Sequence, residues 1–265
     1  MTLGHYARLW LASARYAIIR TLMFRFDFFL WSLVEFTWML VNLLLVEVLY
    51  DHTSSIAGWT KYEMLLLVGT SMIVQRLFTG FFWSNLFEVG RNVRSGHFDF
   101  FLAQPGNPLF MISTRKLDPD GLINSLVGLA VVIYSANKLG LHPGALDLAA
   151  YALLIGCGVI LHYSTMVLII ALSFWITSSQ GIEGSYFVIY QFSRLPREAF
   201  TGFVSRAVFV FLLPAVIVSN IPANILRHGA DLPSVAWMLG ATLAWFALAL
   251  AVFQRGLRRY SSASS

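Results

Sequence analysis

The chain has 265 residues, 58% of them hydrophobic and only 12% charged, where a soluble domain carries about 25% charged residues. Its net charge of +5 and pI near 9.5 do not indicate nucleic acid, because the cations lie between apolar runs and do not form a basic patch. A single cysteine, Cys157, sits inside an apolar run, which excludes an intramolecular disulfide or a cysteine metal site.

Mean hydropathy of +0.71, with several apolar runs of roughly 18–25 residues, predicts an all-α polytopic membrane protein. Continuous rather than alternating runs exclude spanning strands, since only helices satisfy such backbones without a closed barrel. The first long run lacks a small-residue cleavage pattern after it, so the N-terminus does not read as a cleaved signal peptide and the whole chain is taken as mature protein.

Residues 3–22 place Leu3, Ala7, Trp10, Leu11, Ala14, Ile18 and Leu22 three and four apart, with Arg8 and Arg15 on the opposite side. The pattern predicts an amphipathic helix with a basic face, lying at the membrane surface over 1–27. Six spans are expected at about 28–50, 62–83, 119–137, 148–174, 202–220 and 234–254. They form a single 28–254 transmembrane domain, followed by a 255–265 cytoplasmic tail. The connections near 51–61, 138–147 and 221–233 share one side. The 84–118 loop, 175–201 and both termini share the other. Arg8, Arg15, Arg20, Arg25, Arg91, Arg94, Arg115, Lys116, Arg194, Arg197, Arg255, Arg258 and Arg259 fall on this second side, against Lys61, Lys138 and Arg227 on the first. The positive-inside rule therefore makes the second side cytoplasmic, in a plasma or inner membrane.

Pro214 predicts a kink in the fifth span. The segment around Pro222, Gly229 and Pro233 reads as a re-entrant or interfacial outer element between spans five and six. Ala236, Gly240 and Ala244, four apart, allow close helix approach in the last span, and Gly156 and Gly158 do so in the fourth. Glu35 and Arg76 lie at similar depth, each about 10 Å from the inner surface at 1.5 Å per residue. They are expected to approach one another, because ionisable groups in the bilayer face the bundle or a wet cavity. The alternative is Arg76 snorkelling to the headgroups while Glu35 meets another donor. Gln75, Asn42 and His162 are weaker polar signals, and a lone histidine in a span is more often hydrogen-bonded to a neighbouring helix than a proton carrier. No phosphate-binding loop, H-E-x-x-H or G-x-S-x-G motif occurs, and the six histidines are scattered. No catalytic residue, metal site or cofactor is therefore expected in this chain.

The 84–118 loop is too polar for a bilayer and carries Glu88, Arg91, Arg94, Asp99, Arg115, Lys116 and Asp118. Within it, Val93-Arg94-Ser95-Gly96-His97-Phe98-Asp99-Phe100-Phe101-Leu102, then Pro105 and Asn107-Pro108-Leu109-Phe110, resembles the signature of the roughly 260-residue subgroup of ABC-2 type ABC exporter permeases. Arg194-Leu195-Pro196 leading to Phe200, Leu213-Pro214 and Ile221-Pro222-Ala223 extend the resemblance over essentially the whole chain. His97 stands where that family commonly has an acidic or neutral residue.

The resemblance implies a permease subunit that pairs with a second copy or a related permease and with two cytoplasmic ATPases holding ATP and Mg. It implies that Glu88, Arg91, Arg94, Gly96, Asp99, Phe100 and Pro105 form a coupling helix docking on the ATPase. Spacing agrees: Glu88, Arg91 and Arg94 are three apart on one helix side, Gly96 stops the helix, and Phe98, Phe100 and Phe101 are apolar anchors. A membrane-surface helix whose arginines meet lipid phosphates has the same pattern. An ion-coupled secondary transporter and a non-transporting scaffold are the competing functions, although no internal repeat of the kind such transporters show is evident.

Overall fold

A computed structural model describes residues 2–176, 184–208 and 214–260. Helices are the only regular elements among them: α1 (Leu3–Met23), α2 (Arg25–Asp51), α3 (Lys61–Phe78), α4 (Ser84–Phe87), α5 (Val89–Arg94), α6 (Phe98–Leu102), α7 (Pro108–Ser113), α8 (Pro119–Lys138), α9 (Ala145–Ala171), α10 (Ser185–Gln191), α11 (Phe203–Arg206), α12 (Ile217–His228) and α13 (Leu232–Arg259). Among the described residues, five stretches are long and apolar enough to cross a membrane: Arg25–Asp51, Lys61–Arg94, Pro119–Lys138, Ala145–Phe174 and Leu232–Arg259.

Local chemistry starts these helices where apolar patterning alone is silent. Glu63 accepts from the Thr60 backbone N–H (2.8 Å) and hydroxyl (2.9 Å) at the start of α3. Asp147 does the same for the Gly144 N–H at α9 (2.8 Å), and Asp231 for the Ser234 N–H at α13 (2.9 Å). Each satisfies a donor that a helix N-terminus otherwise leaves unpaired.

α3 is the axis of the bundle. Nearly every residue from Met64 to Val74 is buried, under α8 on one side and α9 and α12 on others. The tightest crossing is α3 on α8. A Cβ on Gly121 would lie 2.7 Å from the Gly80 nitrogen, and one on Gly128 3.0 Å from the Gly69 carbonyl oxygen, so the two backbones touch as small-residue helix pairs do in membranes. This differs from the expected stripe. Gly158 does meet Val74 and Val218, but a Cβ on Gly156 or Gly240 would have nothing within 4 Å among the described residues. A four-residue spacing of small residues permits close approach without deciding which helix is opposite.

The fifth span is the main departure. No long helix occupies the described part of 202–220, and residues 209–213 lie outside the described residues. Instead, residues 184–200 run the length of α3. Phe187 packs on Trp83 (4.5 Å between rings), Ser193 hydrogen-bonds Ser71 (2.7 Å), and Glu198 accepts from Trp59 Nε1 (3.0 Å). Arg194 is thus inside the bundle, and Arg197 reaches the end opposite α4–α7, correcting the assignment of both to the same side as 84–118. The reason is compositional. This stretch is short, interrupted by Pro196, and carries serine, tyrosine and arginine that find partners on other helices, so hydropathy does not register it. α12 then brings Val218 against Gly158 and Arg227 against Glu63 (2.5 Å) near the start of α3, ending at Gly229 with φ +89°, where glycine has no Cβ penalty.

Candidate functional site

Two polar regions stand out: a cavity within the bundle and the short-helix cluster at its α4–α7 end. The cavity has a volume of about 790 Å³ and lies between α2, α3 and residues 187–195. Glu35, Asn42, Gln75 and Arg76, the four polar span residues expected to form a pair or pathway, all line it. Arg76 and Glu35 form an ion pair, which offsets part of the cost of taking each charge out of bulk water. Their depth follows from spacing. Arg76 is fifteen residues into α3 from Lys61, roughly 22 Å along the axis.

Sequence reasoning did not select Arg194 for this cavity, yet Arg194 is central to it. Its Nη2 donates to Gln75 Oε1 at 2.9 Å, and Nη1 donates to Asn42, so one guanidinium fork spans α2 and α3. Its Nε is buried and has no hydrogen-bond partner among the described residues. Trp38, Trp83 and Phe187 supply aromatic walls, and Gln191 adds an amide. The signal that could have found Arg194 was the Arg-Leu-Pro motif. A charged residue followed by proline within a Ser/Tyr-rich stretch marks a broken intramembrane helix lining a cavity.

The cavity shares Glu35, Thr79 and Trp83 with a second one of about 420 Å³, lined by Arg20, Asp27, Trp31, Asp118 and Asp120. The two adjoin at these residues, the second lying toward the α4–α7 end. Burial pushes the Asp118 carboxyl above its ordinary range; the Ser84 hydroxyl that donates to it opposes this, and the Asp120 charge adds to it. His162 is outside both cavities: its Nδ1 shares a hydrogen bond with the Tyr186 hydroxyl at 2.6 Å, and its ring stacks on Tyr190 at 3.4 Å, a packed core role.

At the α4–α7 end, Glu88 ties two cations, Lys116 at 2.7 Å and Arg91 at 3.3 Å. Its side chain stays 31% exposed beside them. Gly96, at φ +74°, closes α5 and turns the chain into α6. The three expected apolar anchors separate there. Phe98 and Phe101 are buried, and only Phe100 is exposed, at 58%. Phe98 wedges between Phe174 (5.4 Å) and Tyr260 (5.3 Å), so the loop is fastened to the ends of the fourth and last long helices. Arg115 lies over the Phe101 ring at 5.0 Å. Asn107 caps α7 by accepting from the Leu109 N–H at 2.9 Å, while its own N–H donates to Tyr6 on α1 (2.9 Å). α1 is therefore docked on this end, with Leu11, Ile18 and Leu22 exposed. Arg94 and Asp99 flank Gly96 within the same cluster, and Pro105 follows it.

A family model described as ABC-2 family transporter protein matches residues 36–264. No curated protein and no solved structure matches the chain.

Proposed function

The chain belongs to the ABC-2 family of transporter proteins, and from that premise we propose that it is the transmembrane subunit of an ATP-driven exporter. As a multi-pass membrane permease it forms one half of a translocation path. A second permease, identical or related, forms the other half, and two ATPase subunits hold ATP and Mg. The supporting observation is the wedge of Phe98 between Phe174 and Tyr260. A force applied to α5–α6 is carried directly into α9 and α13 through packed rings, which move as rigid bodies rather than deform.

In this reading, Arg91 and Phe100 supply the solvent-facing part of the coupling surface, with Arg94, Asp99 and Pro105 beside them. Glu88 and Gly96 set the backbone of the hairpin. α5–α7 and both termini are cytoplasmic. With Arg194 in the interior and Arg197 at the far end, the inner end still holds Arg8, Arg15, Arg20, Arg25, Arg91, Arg94, Arg115, Lys116, Arg255, Arg258 and Arg259, against Lys61, Lys138, Arg197 and Arg227 outside, and the positive-inside bias survives. Residues 184–200 make the sixth crossing, and α12 is the returning limb of a re-entrant outer element. The test is copurification of an ATPase with this chain in detergent, followed by ATP-dependent transport in proteoliposomes. Transport that proceeds without ATP would overturn the reading.

A further inference from the structure

We propose that the cavity between α2, α3 and residues 187–195 recognises an amphipathic anion. Arg194 takes the oxyanion head, and Trp38, Trp83 and Phe187 take the apolar body. The inference rests on the exporter reading and adds a substrate class to it.

The charged groups lining the cavity are Glu35, Arg76 and Arg194. Glu35 and Arg76 neutralise each other as an ion pair. Arg194 is held by two neutral amide oxygens, Asn42 and Gln75, which orient a guanidinium but leave its positive charge in place. Its buried Nε–H has no acceptor among the described residues. A cation in the apolar layer is costly unless it faces something of opposite sign, and here it faces a cavity of about 790 Å³, the size of small-molecule sites. Nη1 and Nη2 each keep a second N–H beyond the one given to Asn42 or Gln75, and a planar guanidinium fork matches carboxylate, sulfonate or phosphate oxygens. Aromatic side chains flank the same space, so the head and body of an amphipath have separate walls.

The test uses the purified chain in phosphatidylcholine nanodiscs and equilibrium dialysis with three probes of one shape: naphthalene-2-sulfonate, the neutral naphthalene-2-sulfonamide and 2-naphthylmethylammonium. The sulfonate is expected to bind at least about tenfold more tightly than the other two, the strength of a charge-assisted hydrogen bond. Arg194→Gln should erase the preference and Arg194→Lys retain part of it. Asn42→Ala, which removes one neutral anchor, should keep the preference for the anion. Equal binding of all three probes by the wild-type chain, or a preference for the ammonium, overturns the proposal whether or not the variants fold. So does an unchanged preference in Arg194→Gln. Adding phosphatidylglycerol to the discs identifies the source: displacement of the sulfonate means a lipid headgroup is the occupant, and unchanged binding means a free solute. ATPase copurification with the wild-type chain is scored separately. If it succeeds while the anion preference is absent, this inference fails and the exporter reading stands.

Discussion

Replacing Glu35 by glutamine tests whether the intramembrane ion pair stabilises the bundle. The side chains of Arg76 and Glu35 are 12% and 29% exposed, and both face the cavity that also holds Arg194. Removing the carboxylate leaves two guanidiniums lining this cavity and no carboxylate in its own wall, the aspartates lying in the adjoining one. Breaking a fully buried pair costs about 3–5 kcal/mol. Because Glu35 retains some access to the cavity, about 2–3 kcal/mol is expected, once solvent screening is allowed for. Glu35→Gln/Arg76→Gln removes both charges and should cost within about 1 kcal/mol of wild type, since an uncharged pair of similar volume escapes the desolvation penalty. Equilibrium unfolding in mixed micelles, followed by tryptophan fluorescence on wild type, both single variants and the double, gives the coupling directly. If the two single losses add up to the double within about 0.5 kcal/mol, the groups do not interact and the pair has no role in holding α2 to α3.

Gly121→Ala should destabilise by about 1–3 kcal/mol through overpacking, because its Cβ would meet the Gly80 nitrogen at 2.7 Å, whereas Gly240→Ala, with nothing within 4 Å, should leave thermal unfolding unchanged or slightly raised; equal losses in the two would contradict the α3–α8 crossing. Phe98→Ala should lower stability by about 3–5 kcal/mol as a large buried ring is lost, while Phe100→Ala should leave unfolding intact and abolish stimulation of the ATPase by the permease. The reverse pattern would move the coupling surface elsewhere. Asp118 has a folded-state pKa above its unfolded value, so the folded state binds the proton more tightly and stability falls as pH rises from the unfolded value through the folded one. Asp118→Asn, which still accepts from Ser84, should remove that slope, as unfolding midpoints measured from about pH 4 to pH 7 would reveal.

Membrane class, four of the long helices before the last, and the last itself are legible in the chain because twenty apolar residues in a row have no other stable solvent. The polar 84–118 loop is legible for the converse reason, as is the resemblance carried by Arg94, Gly96 and Pro105. Glu35, Asn42, Gln75 and Arg76 could be picked out singly, since any polar group in such a run is conspicuous. Their convergence on one cavity could not, because it depends on how α2 rotates against α3. Phe98, Phe100 and Phe101 look alike as letters; only the packing of α6 under Phe174 and Tyr260 decides that one faces out. The 184–200 stretch is the deepest divide. Its serine, tyrosine and arginine residues are held by partners on α2, α3, α9 and α12 (Asn42, Ser71, Gln75, Thr165 and Ser219), interactions between residues far apart in the chain. Hydropathy sums neighbours in sequence, so a segment whose burial is paid for by distant hydrogen bonds is invisible to it, and tertiary structure alone put Arg194 where a charge matters.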